Sequence, residues 1–261
     1  MQELNSFQST ESSDEDSQAW AIPFADMMTL LLTLFILLLV ILKESEKFID
    51  REINLILDET EAQLKEEINN ENVVVERATK GVKVTLRGNL FQSMKANVNK
   101  SYIPTIQEIS KIIEQCRLFN IEKTENYTAL MDYLEEANLE LNVEIRCEGH
   151  TDDAILPLES DFRSNWELSS ARSLRVVRIM NEASSISERY FSYNGYGEYR
   201  PLIDVTSIKN YNEKKRARAH NRRVEIYLDA FARPKTRSSE QEFINMITKK
   251  DEIEAKLQKV K

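Results

Sequence analysis

Apolar residues are concentrated in one run near the amino terminus, whereas elsewhere they alternate with polar residues. The run covers residues 20–42, and Asp26 is its only ionisable side chain. At about 1.5 Å of rise per residue, a helix of this length crosses a bilayer. A cleaved signal peptide is the alternative, but the 19 preceding residues carry five acidic and no basic side chains. The pattern predicts an uncleaved transmembrane helix over 20–42 after an acidic tail over 1–19.

A second pattern follows the predicted span over residues 43–72. Apolar side chains recur there at steps of mostly three and four residues among polar ones, which predicts an amphipathic helical linker. The stripe consists of Ile49, Ile53, Ile56, Leu57, Leu64 and Ile68. Two arrangements bury such a stripe: a coiled coil with a second copy, or packing against the chain's own domain. The sequence leaves both open.

Strand and helix patterns then alternate over residues 73–230. They predict a β-hairpin over 72–88, a helix beginning near Pro104, a polar inserted helix near 124–138, and a strand leading into residues 149–153. A helix over 165–183 follows, and then strands over 191–194 and 224–228 separated by a long loop. This order predicts an α/β sandwich, in which one mixed sheet carries helices on one face. Residues 231–261 form a basic tail with spacing for one more helix.

Composition narrows the functional classes. With 41% hydrophobic and 30% charged residues, the chain is neither disordered nor a cysteine-stapled mini-protein. A formal net charge of −9 argues against a nucleic-acid partner. No nucleophile elbow or zinc-binding histidine pair is present, so we expect no enzyme activity, no metal and no cofactor. We expect His150 to make a structural hydrogen bond, and Cys116 and Cys147 to form one disulfide or remain two thiols.

Asp26 is the candidate functional residue of the span. An aspartate in hydrocarbon costs about 2.5–3.5 kcal/mol, so such residues usually face a partner or an ion path. Thr29, three residues on, lies on the same face of the helix. The alternative is that Asp26 lies among the lipid headgroups as an interfacial charge or an N-terminal cap.

The span resembles the single transmembrane helix of MotB-type stator B subunits. The resemblance rests on Trp20, the Phe-Ala-Asp triplet that ends at Asp26, and Thr29. It implies that Asp26 and Thr29 act in ion translocation, with Asp26 binding and releasing H⁺ or Na⁺. It also implies a channel shared with a multi-spanning A subunit, and a homodimer of this chain.

Four motifs in a fixed order resemble the OmpA-like peptidoglycan-binding domain. They cover residues 149–152, 165–172, 195–198 and 221–225. The resemblance implies that Asp152 holds the ammonium and Arg172 the carboxylate of diaminopimelate in a wall stem peptide, since an arginine fork matches a carboxylate. Asn165 and Arg222 are implied to line the same groove. A salt bridge between Asp152 and Arg172 is the alternative.

Three further residues of these motifs carry structural expectations. We expect Gly195 and Gly197 to occupy turns with positive φ, and Trp166 to lie in the core. The chain also departs from the family at Met94, where many relatives have a small residue, often glycine.

Orientation is decided by the resemblance. The basic residues that flank the span all follow it, which taken literally keeps the C-terminal domain in the cytoplasm. Wall binding implies the opposite: a single-pass inner-membrane protein with a cytoplasmic N-terminus and a periplasmic domain, where the two cysteines could pair. The resemblance thus implies the B subunit of an ion-driven motor anchored to peptidoglycan in a flagellar stator. The same role in a Zorya-type antiphage motor is the alternative, and a passive wall anchor is a third.

Overall fold

The computed structural model describes residues 20–92, 94–121 and 127–235. The chain divides into two units, with the boundary after Arg51. The first helix, α1 (Ala21–Glu67), begins in the first unit. Its residues Ala21–Ile41 have a mean hydropathy of 2.6, and none of this apolar surface is buried. Length and composition make this the one helix of the described residues that could cross a membrane, in agreement with the predicted span.

The second unit is built on a five-stranded mixed sheet. Its strands are β1 (Val73–Ala78), β2 (Gly81–Leu86), β3 (Leu139–His150), β4 (Phe191–Gly195) and β5 (Arg223–Pro234). Their order across the sheet is β1-β2-β5-β3-β4. Only the β3–β4 pair is parallel among these neighbours, so the predicted mixed sheet is confirmed.

Four helices accompany the sheet: α2 (Ile103–Gln115), α3 (Thr128–Glu136), α4 (Asn165–Ala183) and α5 (Tyr211–Asn221). The bounds of α4 agree with the prediction. The predicted inserted helix is described from Thr128, and residues 122–126 lie outside the described residues. Helix α5 replaces part of the predicted long loop. It begins where the Asn210 side chain accepts hydrogen bonds from the amides of Asn212 and Glu213.

The two faces of the sheet differ in chemistry. On one face, register aligns buried apolar side chains across β2, β5 and β3, such as Val84, Ile226 and Cys147. Helix α4 packs on β3 and β4, and α2 packs on α4. The opposite face carries ion pairs instead, including Arg223 with Glu225. The core therefore lies between the helices and the apolar face of the sheet.

The end of α1, from Glu52 onward, belongs to the second unit and packs within it. Its apolar stripe is buried at Ile53, Ile56, Leu57 and Leu64. Ion pairs from Asp58 to Arg77 and from Glu59 to Arg117 flank the stripe. Of the two arrangements open in the sequence, the structure therefore has the stripe packed on the chain's own domain.

Cys116 and Cys147 are free and buried. Burial raises the pKa of each thiol to about 12. The pairing that the resemblance allowed is absent between these two described residues. The predicted tail helix falls on residues 236–261, and the predicted acidic tail on residues 1–19; both segments lie outside the described residues.

Candidate functional site

A groove of about 310 Å³ opens beside the end of β3 and the beginning of α4. The four residues that the OmpA-like resemblance singled out all line it: Asp152, Asn165, Arg172 and Arg222. Gly88, Asn89, Phe91, Gln92, Met94, Thr151 and Leu168 complete the lining. Residues that are up to 134 positions apart in the sequence, Gly88 and Arg222, thus converge on one cavity.

Local sequence fixes where α4 begins. The Ser164 hydroxyl accepts a hydrogen bond from the amide of Glu167, and the Glu167 carboxylate accepts one from the amide of Arg163. This reciprocal capping starts the helix at Asn165, at the edge of the groove.

Two glycines let α4 approach the sheet closely. A Cβ at Gly149 would overlap the carbonyl oxygen of Ser169, and a Cβ at Gly195 would overlap the amide nitrogen of Ser170. Gly197 has a φ of 57°, which confirms the predicted turn. Gly195 is absent from the positive-φ residues of the described chain, so that expectation was wrong. Lack of space for a side chain, rather than backbone conformation, requires glycine at position 195.

Arg172 is a buried cation, 4% exposed. Its Nε donates to the carbonyl oxygen of Lys95 at 3.0 Å, and its guanidinium lies 4.8 Å from the centre of the Phe91 ring. Among the described residues, no carboxylate oxygen lies within 4.0 Å of it. Burial lowers its pKa to about 10, although Asp152 acts in the opposite direction. The side chain therefore remains charged at neutral pH and presents to the groove a positive charge that has no direct salt-bridge partner among the described residues.

Asp152 pairs with Arg222 instead of Arg172. Its Oδ2 lies 2.6 Å from Nη1 of Arg222, and its Oδ1 accepts from the amide of Ala154 at 3.3 Å. The predicted alternative of an Asp152–Arg172 salt bridge is therefore wrong. A ligand ammonium at Asp152 would share this carboxylate with Arg222.

Asn165 connects the two loops that border the groove. Its amide nitrogen donates to the carbonyl oxygen of Ala154 at 3.0 Å and to Oε2 of Glu198 at 2.5 Å. The next residue, Trp166, is 55% exposed, so the expectation that it lies in the core was wrong. It occupies the first turn of α4, on the side that faces away from the sheet.

Met94 has a φ of 56°, the left-handed conformation that favours glycine. This geometry gives a physical reason for the small residue, often glycine, that the family resemblance leads us to expect there. In this chain the methionine side chain lines the groove.

His150 makes no hydrogen bond through either ring nitrogen among the described residues, so the predicted structural hydrogen bond was wrong. It stacks on Tyr196, and its Nε2 lies 3.8 Å from Oε2 of Glu225. Burial and then Arg223 lower its pKa to about 4. Glu148, His150 and Glu225 lie close enough to hold a metal ion. However, Glu225 already accepts from Arg223 and Tyr227, and Glu148 from Arg146, so we interpret the cluster as a structural network.

Asp26 and Thr29 belong to the first unit. The Thr29 hydroxyl donates to the backbone carbonyl oxygen of Asp26 at 2.8 Å, which confirms that the two residues share one face of α1. Asp26 is exposed on the apolar span, and its carboxylate is open to a partner.

Sequence reasoning missed the contribution of α5. Arg218 on this helix donates through Nε and Nη2 to the two carboxylate oxygens of Asp153, at 2.7 and 2.9 Å. This bidentate pair holds the loop that carries Asp152. The signal was available in Asn210 and Glu213, which are spaced as a helix start.

Two family models match the chain. One, described as membrane MotB of the proton-channel complex MotA/MotB, matches residues 7–49, and the OmpA family model matches residues 90–218. Motility protein B of Bacillus subtilis is 27% identical over 178 residues, which are 66% of this chain and 56% of that protein. Motility protein B of Helicobacter pylori is 24% identical over 255 residues, covering 82% of this chain and 87% of that protein.

One solved structure supports the fold. The crystal structure of a putative MotB-like protein from Desulfovibrio vulgaris has a TM-score of 0.52 and 19% identity, covering 71% of this chain and 99% of that one. Together the fold and the matches make the chain similar to proteins with an apolar N-terminal helix and an OmpA-like domain. Within that class, its similarity is to MotB-type stator B proteins.

Proposed function

We propose that this chain is the B subunit of an inner-membrane, ion-driven motor in a flagellar stator, and that its C-terminal domain binds peptidoglycan. The relatives named Motility protein B and the match to the model of the MotA/MotB proton-channel complex support this role. The proposed arrangement is a homodimer that associates with a multi-spanning A subunit. Its N-terminus is cytoplasmic and its C-terminal domain periplasmic.

The observation that carries wall binding is the charge of the groove. Arg172 is a buried cation whose partners are a backbone carbonyl oxygen and an aromatic face. A buried charge without a direct salt-bridge partner is costly, so it favours an anionic ligand. A diaminopimelate carboxylate at Arg172 would supply the missing charge through two parallel hydrogen bonds. Asp152 and Arg222, on the same wall, would bind the remaining charged groups of the stem peptide.

The proposed ion site is Asp26. The surrounding surface of α1 is apolar and unburied within this chain, which suits lipid and a partner helix. In a dry interface the charged carboxylate is costly, and an incoming proton or sodium ion neutralises it. Each elementary charge that crosses 100 mV releases about 2.3 kcal/mol, which can bias a two-state contact between subunits. We propose H⁺ as the ion, and Thr29 as a neighbour of the ion path.

The test compares Asp26→Asn, Asp26→Glu and the control Asp50→Asn, an exposed aspartate of the same helix outside the apolar span. We expect Asp26→Asn to abolish swimming while the protein reaches the membrane and co-purifies with the A subunit. Asp26→Glu should retain part of the activity, and Asp50→Asn nearly all of it. Full motility of Asp26→Asn would instead identify a passive wall anchor.

A Zorya-type antiphage motor is the second candidate. Helix α1 runs from the span to Glu67 without a break, and only residues 68–72 precede β1. This connection is more compact than the linker expected of many flagellar versions. Deletion of the gene distinguishes the two: loss of swimming supports the flagellar role, and increased phage plating with normal swimming supports defence.

A further inference from the structure

Two exposed aromatic side chains form a pair beside the groove. The ring centres of Trp166 and Tyr199 are 5.4 Å apart and tilted by 48°. Trp166 follows Asn165, which lines the groove, and Tyr199 follows Glu198, which accepts a hydrogen bond from Asn165. The aromatic pair therefore adjoins residues that line or border the groove, and it is exposed to solvent.

Packing within the domain does not explain this pair. Trp166 is 55% exposed and Tyr199 is 69% exposed, so neither contributes a buried ring to the core. Within the part of the chain that the structure describes, the indole N–H and the phenol hydroxyl have no hydrogen-bond partner. Large aromatic side chains left in water beside a polar cavity are typical of a ligand surface.

The pair is nevertheless held firmly in place. The backbone oxygen of Trp166 accepts hydrogen bonds from the hydroxyls of Ser169 and Ser170. Gly197, with its positive φ, brings the turn before Tyr199 against the backbone of Asn165 and Trp166. The rings are therefore presented by rigid backbone, which lowers the entropy cost of binding.

We propose that Trp166 and Tyr199 bind a sugar ring of the glycan strand to which the stem peptide is attached. This inference rests on the proposed wall binding. The C–H groups of a pyranose face carry partial positive charge and match the negative face of an aromatic ring. The groove supplies charges for the peptide, and the pair adds an uncharged apolar surface for the sugar. Because peptide and sugar are covalently joined, a peptide in the groove brings its sugar close to the groove rim.

The experiment uses the full-length chain in detergent and two probes. One is a free stem tetrapeptide that contains diaminopimelate, and the other is the same tetrapeptide attached to its N-acetylglucosamine–N-acetylmuramic acid disaccharide. Calorimetry should show that the wild type binds the disaccharide-peptide about fivefold more tightly than the free peptide, which is the size expected for one aromatic stacking contact.

Variants locate that preference. Trp166→Ala and Tyr199→Ala should each reduce the preference to less than about twofold without changing the affinity for the free peptide, whereas Trp166→Phe should keep most of it. Tyr211→Ala, which removes another exposed tyrosine, is the control and should keep the full preference. Because the chain has only two tryptophans, a Trp20→Phe background makes Trp166 the sole reporter. Its fluorescence should change with the disaccharide-peptide and not with the free peptide.

The outcomes separate the two proposals. If the wild type binds both probes equally, or if both alanine variants keep the preference, the sugar site is wrong and wall binding stands. If neither probe binds the wild type, wall binding fails, and the sugar site fails with it.

Discussion

Replacing Arg172 with methionine should raise the stability of the domain while it weakens binding of the stem peptide. The substitution keeps an unbranched side chain of similar length against Phe91 and removes the positive charge. Burial lowers the pKa of Arg172 from 12.5 to about 10, and each unit corresponds to about 1.36 kcal/mol. The folded state therefore carries a penalty of about 3 kcal/mol for this charge at any pH well below 10. The sign follows from the lowered pKa, because the unfolded chain binds this proton more tightly.

The substitution also removes hydrogen bonds. The carbonyl oxygens of Lys95 and Gln92 lose their guanidinium donors, which we expect to cost about 1 kcal/mol. The net expectation is a gain of about 1–2 kcal/mol in the free energy of unfolding. Binding of the diaminopimelate tetrapeptide should fall by at least about tenfold, since the ligand carboxylate loses its partner.

Urea unfolding of the full-length chain, followed by circular dichroism, gives the stability, and calorimetry gives the affinity. Arg222→Met is the matched control. Arg222 is 40% exposed and neutralises Asp152, which is only 12% exposed, so this variant should lose stability, by about 1 kcal/mol. A loss of more than about 2 kcal/mol in Arg172→Met would refute the reasoning, because it would make Arg172 a structural residue whose charge the fold already compensates.

Three further variants test the domain. The wild type should lose about 3 kcal/mol of unfolding free energy between pH 6.5 and 4, because the unfolded His150 binds a proton there and the buried one does not. His150→Gln should abolish this loss in urea unfolding, and His220→Gln, a substitution at an exposed position, is the control. Met94→Gly should raise the free energy of unfolding by about 0.5 kcal/mol, because relief of the left-handed strain exceeds the entropy cost of glycine. The melting temperature should therefore rise slightly, and a lower melting temperature would contradict this reasoning. Gly195→Ala should lower the free energy of unfolding by about 3 kcal/mol, because the added Cβ would overlap the amide nitrogen of Ser170. A variant with unchanged stability would show that α4 can move away from the sheet.

Elements with a local signal were predictable from the sequence. Helix α4 begins and ends as predicted because its capping residues, Ser164 and Glu167, are neighbours in the chain. The β-hairpin was equally local, with alternating residues on both sides of a short turn. The four groove residues were found through the resemblance, and the structure brings them together.

Features that depend on tertiary contacts were not predictable from periodicity. Helix α5 has almost no apolar face, with Ala217 as its one buried apolar residue, so only its capping residues signalled it. Its ion pair from Arg218 to Asp153 forms only in the folded chain. Trp166 was wrongly assigned to the core because apolar character alone does not tell which side of a helix faces the sheet. The partner of Asp152 was likewise undetermined, since Arg172 and Arg222 are both arginines of the same groove.

The two buried sulfhydryl groups make the folded domain insensitive to oxidation. With a pKa of about 12, each of Cys116 and Cys147 exists as thiolate in only about one molecule in 100,000 at pH 7, and the thiolate is the reactive species in disulfide exchange. Both lie in the finished core, out of reach of glutathione or an oxidoreductase. Once folded, the domain needs no disulfide catalyst and keeps its structure under reducing and oxidising conditions alike.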